Sequence, residues 1–335
     1  MEEKIKFYFE IIDFQNQKFK IQEFTSKLIG LKEESFTTFK PIVYEKYLNW
    51  TQSIEESILK TNGTINKSIF EEIFSYCGYI GEFLEYEPFI VFLKFTTFGI
   101  ILDDYIFEKI NSLNMKLNEK EKLINSLIYY NNKNENKIGF EFWEIINEFQ
   151  NFTHKESFQR IINANSLWIK SSIDSRNISN SPINSRCSFN EYFEKRSSDA
   201  SGDFILTISM IGIMDNYIEN SIIESKEFQT INYHAKSFFL LINDLYSFNR
   251  EINENDLLNY IKILAIQLNS IQLSIDKTIE LIIDHYLKFL SSIETILKLY
   301  QNDQSTYQLL KQVFQNSNKI LSGIYFAHKK SKRYN

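Results

Sequence analysis

Phe238-Phe239-Leu240-Leu241-Ile242-Asn243-Asp244-Leu245-Tyr246-Ser247-Phe248-Asn249-Arg250-Glu251-Ile252 is the stretch whose reading decides the fold. Phe239, Ile242, Leu245, Tyr246 and Phe248 recur in it at helical intervals, without the strict alternation of a half-buried strand. A similar stripe runs through Ile275, Ile279, Ile282, Tyr286 and Leu290 within residues 275–299. Only 3 prolines and 9 glycines interrupt 335 residues, so the chain is poor in the tight turns that a strand-rich fold needs. No alternating hairpin joined by Asn-Gly or Asp-Gly is present. The spacing predicts an all-α fold of about ten helices in a single domain over residues 1–335. Breaks are expected near Asn62-Gly63, Cys77-Gly78, 131–136 and 174–188, the last a Ser- and Asn-rich loop containing Pro182.

The totals narrow the function classes. A hydrophobic fraction of 43% is enough for a sizeable core and excludes a disordered or fibrous class. A net charge of −6 argues against a nucleic-acid partner, which wants a basic face. The one dense basic run is Lys329, Lys330, Lys332 and Arg333. Two cysteines, Cys77 and Cys187, make neither a disulfide framework nor a zinc cluster and read as reduced residues of an intracellular protein. No apolar run reaches the roughly 18 residues of a membrane span, and the acidic start Met1-Glu2-Glu3-Lys4 is unlike a signal peptide. The expected setting is cytoplasmic, with no membrane partner, as a monomer or homodimer.

Three groups of residues bear chemistry. Asp103-Asp104 ends the apolar run 92–102 that follows Pro88, and Glu108 lies one turn beyond Asp104. Carboxylates grouped like this suit a hard cation shared with substrate phosphates, although a solvated helix end explains the Asp pair alone equally well. Asn243, Ser247 and Glu251 stand at i, i+4 and i+8, on one helical face. Asn and Ser are poor interior helix residues, so their place within an apolar pattern needs a reason. Arg250 adjoins Glu251 and is placed to hold an anion beside a metal. Arg196 is followed one turn later by Asp199, and Ser201-Gly202 then invites a helix break; taken alone, the pair reads as a surface ion pair.

Together these residues resemble the microbial type of class I terpene synthase, including those of social amoebae. Asp103-Asp104…Glu108 is similar to the longer form of that family's aspartate-rich motif. Asn243, Asp244, Ser247, Arg250 and Glu251 are similar to its Asn-Asp-x-x-Ser-x-x-(Lys/Arg)-Glu motif. Tyr192 and Arg196 fit its diphosphate-sensing arginine with a tyrosine four residues earlier, and Arg333-Tyr334 fit its C-terminal Arg-Tyr pair. The elements stand in the family's order, 140 positions separating Asp103 from Asn243 and 47 separating Arg196 from Asn243. The likeness covers about residues 85–335, and the first 80 residues match nothing specific. Ala200 occupies the small-residue place after Asp199, whereas Ala327, with Phe326 alongside, stands where an aromatic is common.

The resemblance implies a magnesium-dependent enzyme that ionises a prenyl diphosphate, with farnesyl diphosphate the expected substrate, and cyclises or water-quenches the cation. It implies three Mg2+ ions, for which Mn2+ is a candidate substitute. Asp103, with Asp104 and Glu108, would serve the metal from one wall, Asp104 more as the tether of an arginine. Asn243, Ser247 and Glu251 would chelate from the other wall. Arg196, Arg250, Arg333 and Tyr334 would donate to the diphosphate; Arg196, Asp199 and Ala200 form the catalytic step that senses it, and Phe239 is a candidate cavity wall. Two rivals remain: a prenyltransferase on the same fold, which normally carries a second Asp-Asp-x-x-Asp, and a non-catalytic helical scaffold.

Overall fold

The computed structural model describes residues 20–28, 31–33, 40–58, 68–103, 117–129, 137–177, 187–198, 204–252 and 259–331. Thirteen α-helices and no strand occur among the described residues. They are α1 (Lys40–Ile58), α2 (Ser68–Ile80), α3 (Tyr86–Ile101), α4 (Leu117–Ile128), α5 (Lys137–Glu148), α6 (Lys155–Asn177) and α7 (Phe189–Arg196). The short α8 (Phe204–Ile208) and α9 (Asn220–Ile223) follow, then α10 (Lys226–Glu251), α11 (Tyr260–Leu268), α12 (Ile271–Leu299) and α13 (Gln304–Lys330). No helix among them is long and apolar enough to cross a membrane.

Side-chain caps fix where the C-terminal helices start. Ser225, Asn259, Ser270 and Asp303 each accept a backbone N–H in the first turn of α10, α11, α12 and α13. Ser188 and Glu191 form a reciprocal capping box at the start of α7. Between α11 and α12 only Asn269, at φ 49°, and Ser270 intervene, so a left-handed residue and a cap turn the chain in two positions.

Burial explains the packing. α10 lies most extensively along α12 and also touches α13, while α13 packs on α2. The stripe predicted over 238–252 is the inner face of α10: Ile242, Leu245, Tyr246 and Phe248 are buried, and Phe239 is half-buried. Gly323 lies where α13 crosses α2, and a Cβ there would stand 2.3 Å from the Tyr79 carbonyl oxygen.

Two expectations on helix breaks need correction. Cys77-Gly78 does not interrupt α2, which runs to Ile80 and turns at residues 81–84. The buried face of Phe70, Ile73, Phe74 and Cys77 outweighs the roughly 1 kcal/mol that a helical glycine costs. The Ser/Asn-rich loop begins later than expected, because α6 continues to Asn177. The breaks at Asn62-Gly63 and 131–136, and most of 174–188, lie outside the described residues.

The segment around residues 20–33, unassigned from sequence, docks on the ends of two C-terminal helices. The Lys20 backbone exchanges two hydrogen bonds with the Gln272 amide, at 2.9 and 3.0 Å. The Thr25 hydroxyl meets the Tyr325 phenol at 2.6 Å, and the Phe24 ring lies edge-on to Tyr325 with centroids 5.3 Å apart. Lys329 pairs with Glu23, and Lys330 with Glu33.

Two predictions follow from the packing. Gly323→Ala is expected to force α13 away from α2 and lower stability by about 1–3 kcal/mol in urea denaturation. His285, on α12, is buried, with its Nδ1 2.9 Å from that of His234 on α10. Burial, reinforced by His234, holds its pKa down at about 4, while Asp284 opposes and Lys288 adds to the depression. The unfolded imidazole titrates near the ordinary value of roughly 6.5. The stability contributed by neutral His285 is therefore complete above that value and is lost as pH falls toward 4. Denaturation free energies of the wild type and His285→Phe, compared at pH 7 and pH 4.5, should show the wild type losing about 2–3 kcal/mol more.

Candidate functional site

The site is built on the C-terminal half of α10. Asn243, Ser247 and Glu251 lie on one face, with Ser247 fully buried and Asn243 and Glu251 half-buried. Several other buried hydroxyls on the long helices donate to the carbonyl four residues back, as Ser237, Thr278 and Ser317 do at 2.8–2.9 Å. Ser247 makes no such bond; its one hydrogen-bond partner among the described residues is the Asn259 amide, at 3.4 Å. Asn243 uses its Nδ2 toward His328 Nε2 at 3.4 Å, and its Oδ1 accepts no hydrogen bond among the described residues. The Glu251 carboxylate accepts from Arg250 at 3.1 Å and from Asn259 at 3.1 Å. Three oxygen donors thus share a face with coordination capacity to spare. Amide, hydroxyl and carboxylate oxygens are the donor set of a hard cation such as Mg2+ or Mn2+, and the residues fit that group.

Behind this face sits a buried polar lock. Asp244 is fully buried, and its Oδ2 accepts the Tyr192 hydroxyl at 2.8 Å and the Tyr260 amide at 3.1 Å. Burial raises the Asp244 pKa to about 7, against the opposing pull of Arg196 and of the Tyr260 amide. Burial, with the Asp244 charge adding to it, pushes the Tyr192 phenol well above its usual range, so it stays the donor. Burial disfavours the Arg196 charge, but Tyr192 and Asp244 more than compensate and keep the guanidinium protonated. Tyr192 and Arg196 are one turn apart on α7, which brings Arg196 to the same end of α10 as the oxygen donors.

Two residues of this neighbourhood were missed from sequence. Asn259 is fully buried and shares its amide hydrogens among the Asp244 carbonyl at 2.8 Å, Glu251 and Ser247. Its Oδ1 also caps α11 by accepting from Ile261 N at 3.0 Å. An Asn directly before the apolar run of Tyr260 and Ile261 is a helix-start signal that was available. His328, which no local spacing marks, is buried on α13 against Asn243.

Asp103 is half-buried at the end of α3, where the helix loosens into a π turn at Leu102 and Asp103. Such turns often sit at functional positions. Asp104, Glu108, Asp199, Ala200, Arg333 and Tyr334 lie outside the described residues. Among the described residues no group of three or more His, Cys, Asp or Glu side chains stands ready to hold a metal ion. A separate cleft of about 310 Å³ between α11 and α12, lined by Leu264, Leu268, Lys277, Glu280, Leu281 and Asp284, includes none of these residues; the donor geometry, not that cleft, marks the site.

Asn259→Ala should remove the cap and leave Glu251 and the Asp244 carbonyl short of a donor. A loss of about 2–4 kcal/mol in urea denaturation is expected, and Asn259→Asp, which keeps the cap but sets a carboxylate oxygen against Glu251 and the Asp244 carbonyl, should not recover it.

Comparison with known proteins places this arrangement. The sequence matches the profile of terpene synthase family 2, C-terminal metal binding, over residues 94–287, more than half of the chain. It is 30% identical over 247 residues to terpene synthase 11 of Dictyostelium purpureum, covering 74% of this chain and 71% of that one. The fold is shared with linalool/nerolidol synthase from Streptomyces clavuligerus in complex with 2-fluorogeranyl diphosphate: TM-score 0.74, 8% identity, 94% of this chain and 100% of that one. It is also shared with 2-methylisoborneol synthase from Streptomyces coelicolor A3(2) in complex with Mg2+ and geranyl-S-thiolodiphosphate: TM-score 0.69, 11% identity, 92% and 97% covered. The helical bundle, the motif face on α10 and the family match lead to one conclusion: this chain belongs to terpene synthase family 2 and is a class I terpene synthase of the kind found in social amoebae.

Proposed function

We propose that the enzyme is a magnesium-dependent sesquiterpene synthase, acting in the cytoplasm as one domain, that ionises farnesyl diphosphate and cyclises or hydrates the resulting cation. The observation that carries this reading is the set of unspent oxygens on α10: the Ser247 hydroxyl, the Asn243 Oδ1 and the Glu251 carboxylate. Asn243, Ser247 and Glu251 would hold one metal ion, and Asp103, with Asp104 and Glu108, would serve the metal cluster from the facing wall. The Mg2+ and geranyl-S-thiolodiphosphate held by 2-methylisoborneol synthase, and the 2-fluorogeranyl diphosphate held by linalool/nerolidol synthase, support the choice of group. Bound metal ions supply positive charge to the diphosphate leaving group.

The protein groups complete that electrostatic field. Arg196, held protonated beside Asp244, Arg250 beside Glu251, and Arg333 with Tyr334 donate hydrogen bonds to diphosphate oxygens. As the carbon–oxygen bond breaks, its electron pair leaves with the diphosphate, and these donors stabilise the charge that develops there. Asp199 and Ala200, the next two members of the proposed sensing step, would couple Arg196 to ionisation. The allylic cation then loses a proton or takes up water against apolar walls, where Phe239, one turn before Asn243, presents an aromatic face. The fifteen-carbon length is chosen because that activity is widespread in the family.

Two measurements test this function. Purified protein incubated with geranyl, farnesyl or geranylgeranyl diphosphate is expected to yield a terpene from farnesyl diphosphate with Mg2+, and with Mn2+ in its place, but none with EDTA, by gas chromatography–mass spectrometry. A product from another chain length would correct the substrate, and no product from any would overturn the function. Asn243→Ala and Glu251→Ala should each abolish turnover while far-UV circular dichroism is unchanged; full activity in either would remove that residue from the metal face.

A further inference from the structure

We propose that His328 is a positioning residue that turns the Asn243 amide so that its oxygen, not its nitrogen, faces the metal-binding side; this rests on Asn243 being a metal ligand.

The need for such a device comes from the side chain itself. The two ends of a carboxamide are almost the same size, but only the oxygen can coordinate a cation. Something must therefore reward one rotamer over its flipped alternative. The Asn243 side chain has one hydrogen-bond partner among the described residues, the Nε2 of His328.

The ring of His328 is set up to favour one answer. Its Nδ1 lies 2.8 Å from the Ile324 carbonyl oxygen, one turn back on α13. A carbonyl can only accept, so Nδ1 carries the hydrogen, and Nε2 of the neutral ring presents a lone pair. An amide NH2 can donate to that lone pair, whereas an amide oxygen placed there would face another acceptor. The amide nitrogen is thus drawn toward α13, and Oδ1 is left for the open side of α10. At 3.4 Å the bond is long and weak, so its role is to discriminate between two rotamers, not to hold the helices together.

The imidazole cannot easily change its own orientation. His328 is completely buried, on the last turn of α13. Tyr76 packs edge-on at 5.4 Å between centroids, Phe239 edge-on at 6.4 Å, and Tyr246 tilts against it at 6.3 Å. A flip of the ring would place carbon against both the Ile324 carbonyl and the Asn243 amide, losing two hydrogen bonds within a packed aromatic box. A backbone carbonyl of α13 thereby sets a ring, the ring sets an amide, and the amide oxygen is aimed from behind. Partners behind a metal ligand commonly change metal affinity by about 10- to 100-fold when removed.

The test compares two replacements of nearly equal length. His328→Gln can still offer an acceptor to the Asn243 NH2, whereas His328→Met fills similar space without a comparable one. Mg2+ is titrated calorimetrically in the presence of saturating inorganic diphosphate, so that the readout is independent of turnover, and the Mg2+ dependence of product formation is measured alongside. The expected result is an apparent Mg2+ affinity about tenfold weaker in His328→Met and within about threefold of wild type in His328→Gln, at similar thermal midpoints. Equal effects in the two variants, no effect in His328→Met, or loss of folding in both would mark His328 as packing alone and overturn the proposal. Asn243→Ala in the same titration separates the two ideas. Unchanged Mg2+ affinity in that variant removes Asn243 from the metal face altogether, whereas a weakened Asn243→Ala beside an unaffected His328→Met defeats only the positioning role.

Discussion

One buried carboxylate organises the functional end of the molecule. Asp244 receives the Tyr192 hydroxyl from α7 and the Tyr260 amide from α11 while standing on α10. A fully buried acid is tolerable only when its oxygens are satisfied or its charge is matched, and here donors and the nearby Arg196 guanidinium share that task. α7, 52 positions away, is thereby brought to the junction of the consecutive helices α10 and α11. Asn243, one residue before Asp244, and Ser247 and Glu251, one and two turns further on, are carried to the surface that this lock backs. Removing the lock would loosen the frame beside the donors.

The second organising device is the long joint contact of α10 with α12 and α13. α10 brings the motif, α12 gives it a broad apolar backing, and α13 brings His328 against Asn243 from behind. Polar groups at this junction are matched in pairs whose members come from different helices: His234 with His285, Tyr286 with Asn318, Asn243 with His328. Such pairs add directional preference to an interface whose bulk is apolar, so the helices settle in one register.

What the sequence disclosed was whatever repeats at the helical period or stands within one turn. The stripe over 238–252 and the face shared by Asn243, Ser247 and Glu251 need only the geometry of one helix, and both are present in α10. The Tyr192–Asp244 bond spans 52 positions, and nothing in local spacing announces it. The pairing of Asn243 with His328, 85 positions apart, was hidden for the same reason, and a lone His in an apolar run reads as ordinary core. Gly78 misled in the opposite direction. A glycine looks like a stop signal, but a buried helical face on both sides of it carries α2 onward to Ile80. The docking of Phe24 and Thr25 on Tyr325 joins segments of unrelated pattern, so residues 20–33 gave no sign of their place.

That docking also bears on the order in which the molecule assembles. The Glu23–Lys329 pair closes a loop of 306 positions, and Thr25–Tyr325 one of 300. Contacts so far apart along the chain bear a large closure entropy and are rewarded only after the intervening helices have condensed. The clasp is accordingly a late event, formed on a bundle already built around α10, α12 and α13. Through Lys329 and Lys330 it grips the final turn of α13. The final turn of α13 is thus among the last parts of the chain to be held, and an intermediate with a complete helical core would still have that turn unfastened.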